Sequence, residues 1–219
     1  MFQVQSFVFN PFQENTFVLF DETKECIIID PGCSDEEEKA QLKAFIAGHK
    51  LKVKLLLNTH CHIDHVLGNK FVRDTYKVHL LIHHIEESVL KAAEVYAPSY
   101  GFHAYEHQPA DAYLEEGDHI KFGNQTMVVL FVPGHSPGHV AFYDEKNRTL
   151  IGGDVLFYNS IGRTDLPGGN HEQLISSIHS RLFVLPDHVR VYPGHGPETT
   201  IGFEKKTNPF CAVNNINID

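Results

Sequence analysis

The chain has 219 residues, of which 42% are hydrophobic, and its formal net charge is −10 with histidine counted as neutral. This length and composition predict one globular domain that spans residues 1–219 and buries a core of ordinary size. The negative charge, without any cluster of Lys and Arg, argues against a nucleic-acid partner. No segment approaches the ~20 apolar residues of a membrane span, and the N-terminus lacks a signal-peptide pattern, so we expect a cytoplasmic protein without a membrane partner.

Cysteine and histidine are the informative residue types. The four cysteines form no CxxC pair, which favours reduced thiols in the core over a disulfide framework. The 16 histidines are unusually many, and several stand in Gly-rich turns directly after apolar runs.

The first half of the chain predicts short strands followed by an alternation of strands and helices. β-Branched and aromatic residues at 2–9, 16–21 and 25–29 are separated by turn residues, which predicts an antiparallel start. Ser34 and Glu37 have the spacing of a capping box, so we expect a helix that ends at Gly48. The elements expected next are a strand at 51–57, a helix at 66–76, a strand at 78–82 and a helix at 86–96.

The second half begins with a segment that has no regular period. Residues 97–114 combine Pro, Gly, His and tyrosines, which predicts a long loop. A helix capped by Asn170 and a short helix before Asn208 are also expected. Strands are expected at 119–122, 126–132, 139–144, 149–153 and 189–192. Together these elements predict an α/β layered sandwich, because two sheets need helices to cover their outer faces.

The strongest functional signal is the segment Asn-Thr-His-Cys-His-Ile-Asp-His at 58–65, at the end of a predicted strand. In extended backbone His60 and His62 point to one side and Cys61 to the other, so we expect Cys61 in the core. Asp64 and His65 fall where the chain turns into the next helix. One short segment could therefore supply ligands to two adjacent metals.

Three further candidates follow other predicted strands. His135 and His195 each follow Pro-Gly, and Asp154 follows Gly-Gly. A single histidine in such a turn is more often structural. Three such turns together with the first cluster predict strand ends that converge on one metal-binding pocket.

This set of residues resembles the metallo-β-lactamase superfamily. The resemblance rests on the HxHxDH motif at 60–65, on His135, Asp154 and His195 in that order, and on Asp30 in the segment IIIDPG. The segments PGHSPGH, GGDVLF, GRTD and PGHGP look most like the glyoxalase II (hydroxyacylglutathione hydrolase) group and its short bacterial relatives. The resemblance covers nearly the whole chain and implies a four-layer αβ/βα sandwich.

The resemblance also implies a site for two divalent metal ions. The implied ligands are His60, His62 and His135 for one metal, Asp64, His65 and His195 for the second, and Asp154 as the bridge. A donor set of nitrogen and oxygen suits Zn²⁺, which we expect, and it tolerates Fe or Mn.

The implied reaction is hydrolysis of a small acyl thioester such as S-lactoylglutathione. Two cations about 3.5 Å apart lower the pKa of a bridging water towards neutrality, and the resulting hydroxide attacks the carbonyl carbon. A thiol with a pKa of ~8.5 leaves without a strong general acid, so no further base is required. Asp64 is the candidate for orienting the hydroxide as well as binding metal.

Several residues near the ligands have two interpretations. Asp30 and Thr59 could hold ligand imidazoles in one tautomer or simply cap a turn. His139 is expected to be structural. Arg163 and Asp165 are expected to pair and to brace the loop after Asp154.

Full-length glyoxalase II enzymes have a C-terminal helical domain for glutathione, whereas 24 residues follow His195 in this sequence, so we expect a protein of the short type without that domain. The identity of the thiol carrier is therefore open. The 97–114 loop is either a substrate wall or a surface loop packed by its own tyrosines.

The main alternative is a mononuclear iron persulfide dioxygenase, with His60, His135 and Asp154 as its two-His, one-carboxylate triad. It predicts one Fe per chain and O₂ consumption with glutathione persulfide. A flavodiiron module would have Glu in place of His62, and a non-catalytic relative should have lost ligands. A β-lactamase fits the fold but not the start of the chain, and RNA-processing relatives generally need an inserted domain.

Overall fold

The computed structural model describes residues 2–213 and contains two six-stranded sheets. The first sheet has its strands in chain order: β1 (Gln3–Phe9), β2 (Glu14–Phe20), β3 (Glu25–Ile29), β4 (Lys52–Leu57), β5 (Leu80–His83) and β6 (Ala112–Leu114). The pairs β1–β2 and β2–β3 are antiparallel, whereas β3, β4, β5 and β6 run parallel. The predicted antiparallel start is confirmed.

The second sheet has the order β14-β13-β10-β9-β8-β7. Its strands are β7 (His119–Phe122), β8 (Gln125–Phe131), β9 (Val140–Asp144), β10 (Thr149–Gly153), β13 (Arg190–Pro193) and β14 (Thr199–Thr200). The small hairpin of β11 (Leu156–Phe157) and β12 (Ser160–Ile161) lies outside both sheets. The strands β7 to β10 are antiparallel neighbours, and β13 joins β10 in parallel.

The two sheets pack face to face because the strands of each sheet place apolar side chains on the face that meets the other sheet. Phe17 and Ile27 of the first sheet share a buried core with Met127 and Phe142 of the second. The opposite faces are covered by helices, which are α1 (Glu36–Gly48), α2 (Ile63–Val66), α3 (Asn69–Tyr76) and α4 (Glu87–Tyr96) on the first sheet and α5 (His171–Ser177) and α6 (Ile201–Thr207) on the second. The result is the predicted four-layer αβ/βα sandwich. Among residues 2–213, none of the helices has the length and apolarity needed to cross a membrane.

The local predictions hold with three corrections. Helix α1 is capped by Asp35, whose side chain accepts a hydrogen bond from the Glu38 N–H at 2.9 Å, so the expected Ser34–Glu37 box is wrong. Glu38, one residue later than expected, accepts from the Ser34 N–H at 2.6 Å. The expected helix at 66–76 is split at Gly68, where a Cβ would lie 2.5 Å from the sulfur of Cys33, so only glycine lets the chain pass this closely.

The third correction concerns residues 97–114, which are not one loop. They begin with a 3₁₀ turn, Ala97–Tyr100, and end in β6, which pairs in parallel with β5. A pattern of three residues is too short to show a strand period. The helix capped by Asn170 is confirmed, and a π turn, Ile178–Leu182, continues it. All four cysteines are free and buried, as expected.

Both sheets direct the ends of their strands to one edge of the sandwich. The backbone N–H of Asn15 in the first sheet donates to the Gly194 carbonyl after β13 at 2.7 Å. The Val140 N–H of the second sheet donates to the Thr59 carbonyl at 2.8 Å. These cross-sheet bonds hold the ligand-bearing turns together at that edge.

Candidate metal centre

Three histidine nitrogens converge at the end of β4 and β8. The Nδ1 of His62 lies 2.9 Å from the Nε2 of His135, and that atom lies 3.3 Å from the Nε2 of His60. One proton can bridge only one of these pairs, so the three nitrogens do not satisfy one another by hydrogen bonding. Convergent imidazole nitrogens of this kind form a metal-binding set, and their ligand atoms lie within 4.8 Å of one another.

A second set lies beside the first. The Nε2 of His195 is 3.1 Å from the Oδ2 of Asp64, and the Nε2 of His65 is 3.7 Å from the same oxygen. His65 is completely buried, and Asp64 and His195 are partly exposed. The exposed side of this set is where a substrate can approach.

Asp154 adjoins both sets. Its Oδ2 lies 3.5 Å from the Nε2 of His135 and 3.5 Å from the Nε2 of His195. Its Oδ1 lies 3.5 Å from the Nε2 of His65. The structure therefore brings together all seven residues that the sequence singled out, with Asp154 between the two sets.

Buried polar atoms at this centre show that cations fit it. The Nε2 of His65 and the Oδ1 of Asp154 are buried and have no hydrogen-bond partner among the described residues. Buried polar atoms are normally paired, and a pair of orphaned ligand atoms facing each other across 3.5 Å is explained by a metal ion between them.

Four of the histidines are held so that Nε2 faces the centre. The Nδ1–H groups of His135 and His195 can donate to backbone carbonyls of Arg163 and Phe12, at 2.7 and 3.1 Å. These contacts place a proton on Nδ1 of both rings and direct Nε2 at the centre, where it can bind a cation once it carries no proton.

Asp30 and Thr59 hold the other two imidazoles. The Nδ1 of His60 lies 3.1 Å from the Thr59 hydroxyl, and the Nδ1 of His65 lies 3.2 Å from the Oδ2 of Asp30. Asp30 also accepts from the Thr59 N–H and hydroxyl at 2.7 and 2.6 Å. Asp30 is therefore placed to orient His65 directly and His60 through Thr59, and its carboxylate also lies within 4.8 Å of ligand atoms of both rings. His62 differs from the others because it presents Nδ1.

Burial and neighbouring charges divide the site into neutral and charged parts. Burial lowers the pKa of His62 to about 3, with the neighbouring His135 adding to the effect. Burial likewise puts the pKa of His60 well below its ordinary value. Burial also lowers the pKa of His65, but Asp64 and Asp154 overcome it and raise that pKa well above the ordinary value.

The carboxylates respond in the opposite sense. Burial raises the pKa of Asp154, but contacts with His65 outweigh burial and hold the pKa well below the ordinary value. The pKa of Asp64 is lowered for the same reason, by His65 and the hydrogen bond from His195 against burial. Neutral imidazoles and ionised carboxylates are the ligand forms that bind divalent cations.

Two glycines let the backbone approach the centre. Gly153 has a φ of 52°, and a Cβ there would lie 2.5 Å from the Thr59 hydroxyl and 2.6 Å from the Nε2 of His139. A Cβ on Gly194 would collide with the Oδ1 of Asp154. The Gly-Gly-Asp and Pro-Gly-His turns are thus steric requirements of the ligand geometry.

Other predicted neighbours also fall at the site. His139 is buried, and its Nε2 accepts from the Asp154 N–H at 3.0 Å, which is the expected structural role. Arg163 and Asp165 form the expected pair, with two contacts of 2.7 Å. Cys61 is buried in the core.

Sequence reasoning missed two carboxylates. Glu14 is fully buried in β2, and its Oε1 lies 4.0 Å from the Nδ1 of His65. Glu86 is equally buried beside the loops that bear His60 and His135. The strand expected from sequence begins at residue 16, so Glu14 falls in the turn before it, and only the structure shows that every position of β2 is buried.

A layered sandwich with such a site defines a class of metal-dependent enzymes, and the comparisons with known proteins agree. The sequence profile of the metallo-β-lactamase superfamily matches residues 9–195, so the chain belongs to this superfamily, whose fold binds divalent metals. The hydroxyacylglutathione hydrolase GloC of Haemophilus influenzae is 36% identical over 201 residues, which is 91% of this chain and 93% of that protein.

Two solved structures are similar throughout. The crystal structure of the B3 metallo-β-lactamase BLEG-1 superposes with a TM-score of 0.88 at 37% identity, covering 96% of this chain and all of that one. TTHA1623, in a di-iron-bound form, gives a TM-score of 0.82 at 38% identity, with 94% and 99% of the two chains covered. These matches establish a metallo-hydrolase superfamily member and leave the substrate to be inferred.

Proposed function

We propose that this protein is a two-metal hydrolase of the hydroxyacylglutathione hydrolase type that cleaves a small acyl thioester. The observation that carries the proposal is the completeness of both donor sets on either side of Asp154. A mononuclear dioxygenase needs only His60, His135 and Asp154, and it would leave the second set without a function. The likeness to GloC supports a thioester as the substrate.

In the proposed centre His60, His62 and His135 would hold one cation and Asp64, His65 and His195 would hold the other, with Asp154 as a shared ligand. When bound, a pair of divalent cations supplies a nucleophile from water at neutral pH and polarises the carbonyl to be attacked. The donor chemistry suits zinc, and the likeness to a di-iron protein keeps iron as an alternative, as does manganese.

The chain's own residues have two tasks in this reaction. Asp64 is ionised because its pKa is lowered, so it can accept a hydrogen bond from water and orient it towards the substrate. The site contributes no separate general acid in this scheme, which suits a thiolate, since a thiol with a pKa of ~8.5 leaves unprotonated. An amine leaving group would need a proton.

Aromatic side chains border the open side of the centre. Phe12, whose carbonyl accepts from His195, packs edge-to-face on Tyr100 with ring centroids 5.7 Å apart. The ring centroid of Phe102 lies 6.1 Å from that of Phe12. Phe12 and Tyr100 are 41% and 52% exposed, so they offer free apolar surface beside the catalytic centre. We propose these three residues as a wall for the acyl or thiol part of a small-molecule substrate.

The experiment is metal analysis combined with three assays on one preparation. About two metals per chain with hydrolysis of S-lactoylglutathione is the expected result. Hydrolysis of a β-lactam alone would favour a second candidate function, that of a β-lactamase, which the likeness to BLEG-1 supports. One iron per chain with O₂ uptake on glutathione persulfide and no hydrolysis would replace the proposal by the dioxygenase.

A further inference from the structure

One buried carboxylate connects the two loops that carry the three histidines of the first set. Glu86 precedes α4 and is 0% exposed. Its Oε2 accepts from the Cys61 N–H at 2.7 Å. Its Oε1 accepts from the Gly138 N–H at 2.7 Å and from the Ser136 hydroxyl at 2.5 Å. All three donors are protein groups, and all three contacts are buried.

The donors are placed beside the ligands. Cys61 lies between His60 and His62, and Ser136 directly follows His135. A displacement of either donor therefore moves a ligand imidazole. The packing is tight, because a Cβ on Gly138 would lie 2.8 Å from the Glu86 nitrogen and 2.9 Å from its Cγ.

We propose that Glu86 is a positioning residue that fixes the separation of the 58–65 and 133–139 loops and thereby sets the metal affinity of the three-histidine set. The inference rests on the metal centre of the proposed function but not on its substrate. It assigns a task to a side chain that neither binds metal nor borders the open side of the centre.

The chemistry explains why a carboxylate is needed. Glu86 must accept from donors that come from two directions, one at each oxygen. A glutamine offers one oxygen only, and its amide NH₂ would then face the Cys61 or the Gly138 N–H. A donor facing a donor in a buried place is repulsive and leaves an N–H without a partner.

The position of the contacts also predicts which metal is affected. Glu86 holds both loops of the His60, His62 and His135 set. The second set takes His195 from the turn after β13, which Glu86 does not contact. Its other members, Asp64 and His65, lie at the far end of the 58–65 loop, where the Asn10 amide donates to the Asp64 carbonyl at 3.0 Å and Asp30 holds the His65 ring. Loosening the Glu86 contacts should therefore weaken metal binding at the three-histidine set much more than at the second set.

The test is a stepwise titration of the metal-free protein with Co²⁺, followed by its absorption spectrum. Glu86→Gln is compared with the unchanged protein, and His135→Ala identifies the step that belongs to the three-histidine set. We expect Glu86→Gln to weaken that step roughly 10–100-fold, as removal of an orienting partner usually does, and to leave the other step nearly unchanged.

Glu204→Gln is the matched control. Glu204 is also 0% exposed and accepts from the Thr199 hydroxyl, the Asn159 N–H and the Asn208 amide, none of them next to a proposed ligand. The Glu204→Gln substitution should lower the melting temperature without changing the Co²⁺ affinity of either binding step.

The proposal is overturned if Glu86→Gln and Glu204→Gln bind Co²⁺ with equal affinity at the three-histidine set. It is also overturned if Glu86→Gln weakens both binding steps equally. If Glu86→Gln does not fold, Ser136→Ala decides, because it removes a single contact to the same oxygen. It should weaken the same step to a smaller degree, and an unchanged step would refute the role. Cobalt binding is read without any substrate, so a failed thioester assay leaves this test intact.

Discussion

Asp30→Asn tests whether the metal centre depends on a fixed histidine tautomer. Asp30 is fully buried, and its Oδ1 accepts from the Thr59 N–H while its Oδ2 faces the Nδ1 of His65. If the asparagine oxygen keeps the Thr59 bond, its NH₂ group faces His65. An acceptor is then required at Nδ1, so the His65 proton moves to Nε2, the atom that should bind metal.

The magnitude follows from the contacts that change. The bond between His65 and a carboxylate is charge-assisted, and losing such a bond costs about 1.5–3 kcal/mol. The free energy of unfolding of the metal-free variant should therefore fall by about 1.5–3 kcal/mol. Metal affinity should fall roughly 10–100-fold, which corresponds to about 1.4–2.8 kcal/mol.

Asp21→Asn is the control, since Asp21 is also buried and accepts from Thr23, Asn124 and Gln125 at the far end of the second strand. Both variants are measured by denaturant unfolding without metal and by zinc titration against a chelator. If Asp30→Asn loses stability as Asp21→Asn does but binds zinc like the unchanged protein, Asp30 only caps a turn, and the tautomer argument is refuted.

Three further outcomes are expected. Asp154→Ala should abolish hydrolysis and reduce metal content measured by elemental analysis, because Asp154 adjoins both sets; full turnover would contradict its bridging role. In the metal-free protein, the stabilisation from His65, whose pKa is raised, is complete below its unfolded pKa of ~6.5 and is lost as pH rises through its folded pKa. The stabilisation from Asp154, whose pKa is lowered, is complete above its unfolded pKa of ~3.9. It is lost as pH falls through the pKa of Asp154 in the folded protein. The free energy of unfolding, measured across pH, should thus be highest between these two limits. Zinc affinity should rise with pH because zinc binding displaces the His65 proton. Phe12→Ala should raise KM several-fold with little change in kcat, since it removes wall surface and keeps the carbonyl that holds His195; an unchanged KM would remove Phe12 from the substrate wall.

The candidate ligands could be singled out from the sequence because their signal is local. Two histidines two positions apart at a strand end point to one side, and glycine turns after three other strands mark further strand ends. The cysteine between the histidines could be assigned to the core by the same rule, and the structure confirms it. Residue type and spacing were sufficient to select these candidates, whereas their division between two metals came from the family resemblance.

The supports of the ligands carry no comparable signal. His195 is held by the Phe12 carbonyl, which is 183 positions away in sequence, and His135 by the carbonyl of Arg163. Every residue has a carbonyl, so no residue type identifies these partners. Glu86 is a typical helix-start residue in the sequence, and only the tertiary contacts show that it accepts from two ligand loops.

The position of Asp154 between the two donor sets follows from the order of strands in the second sheet. His135, Asp154 and His195 follow β8, β10 and β13, and the sheet order β13-β10-β9-β8 places Asp154 between the two histidines. The chain order alone is compatible with other arrangements, because β13 could pair with an edge strand instead of with β10. Its parallel pairing with β10, with Leu150 opposite Val191, brings His195 beside Asp154. This one long-range pairing decides that a single carboxylate reaches both donor sets, and no local pattern in the sequence predicts it.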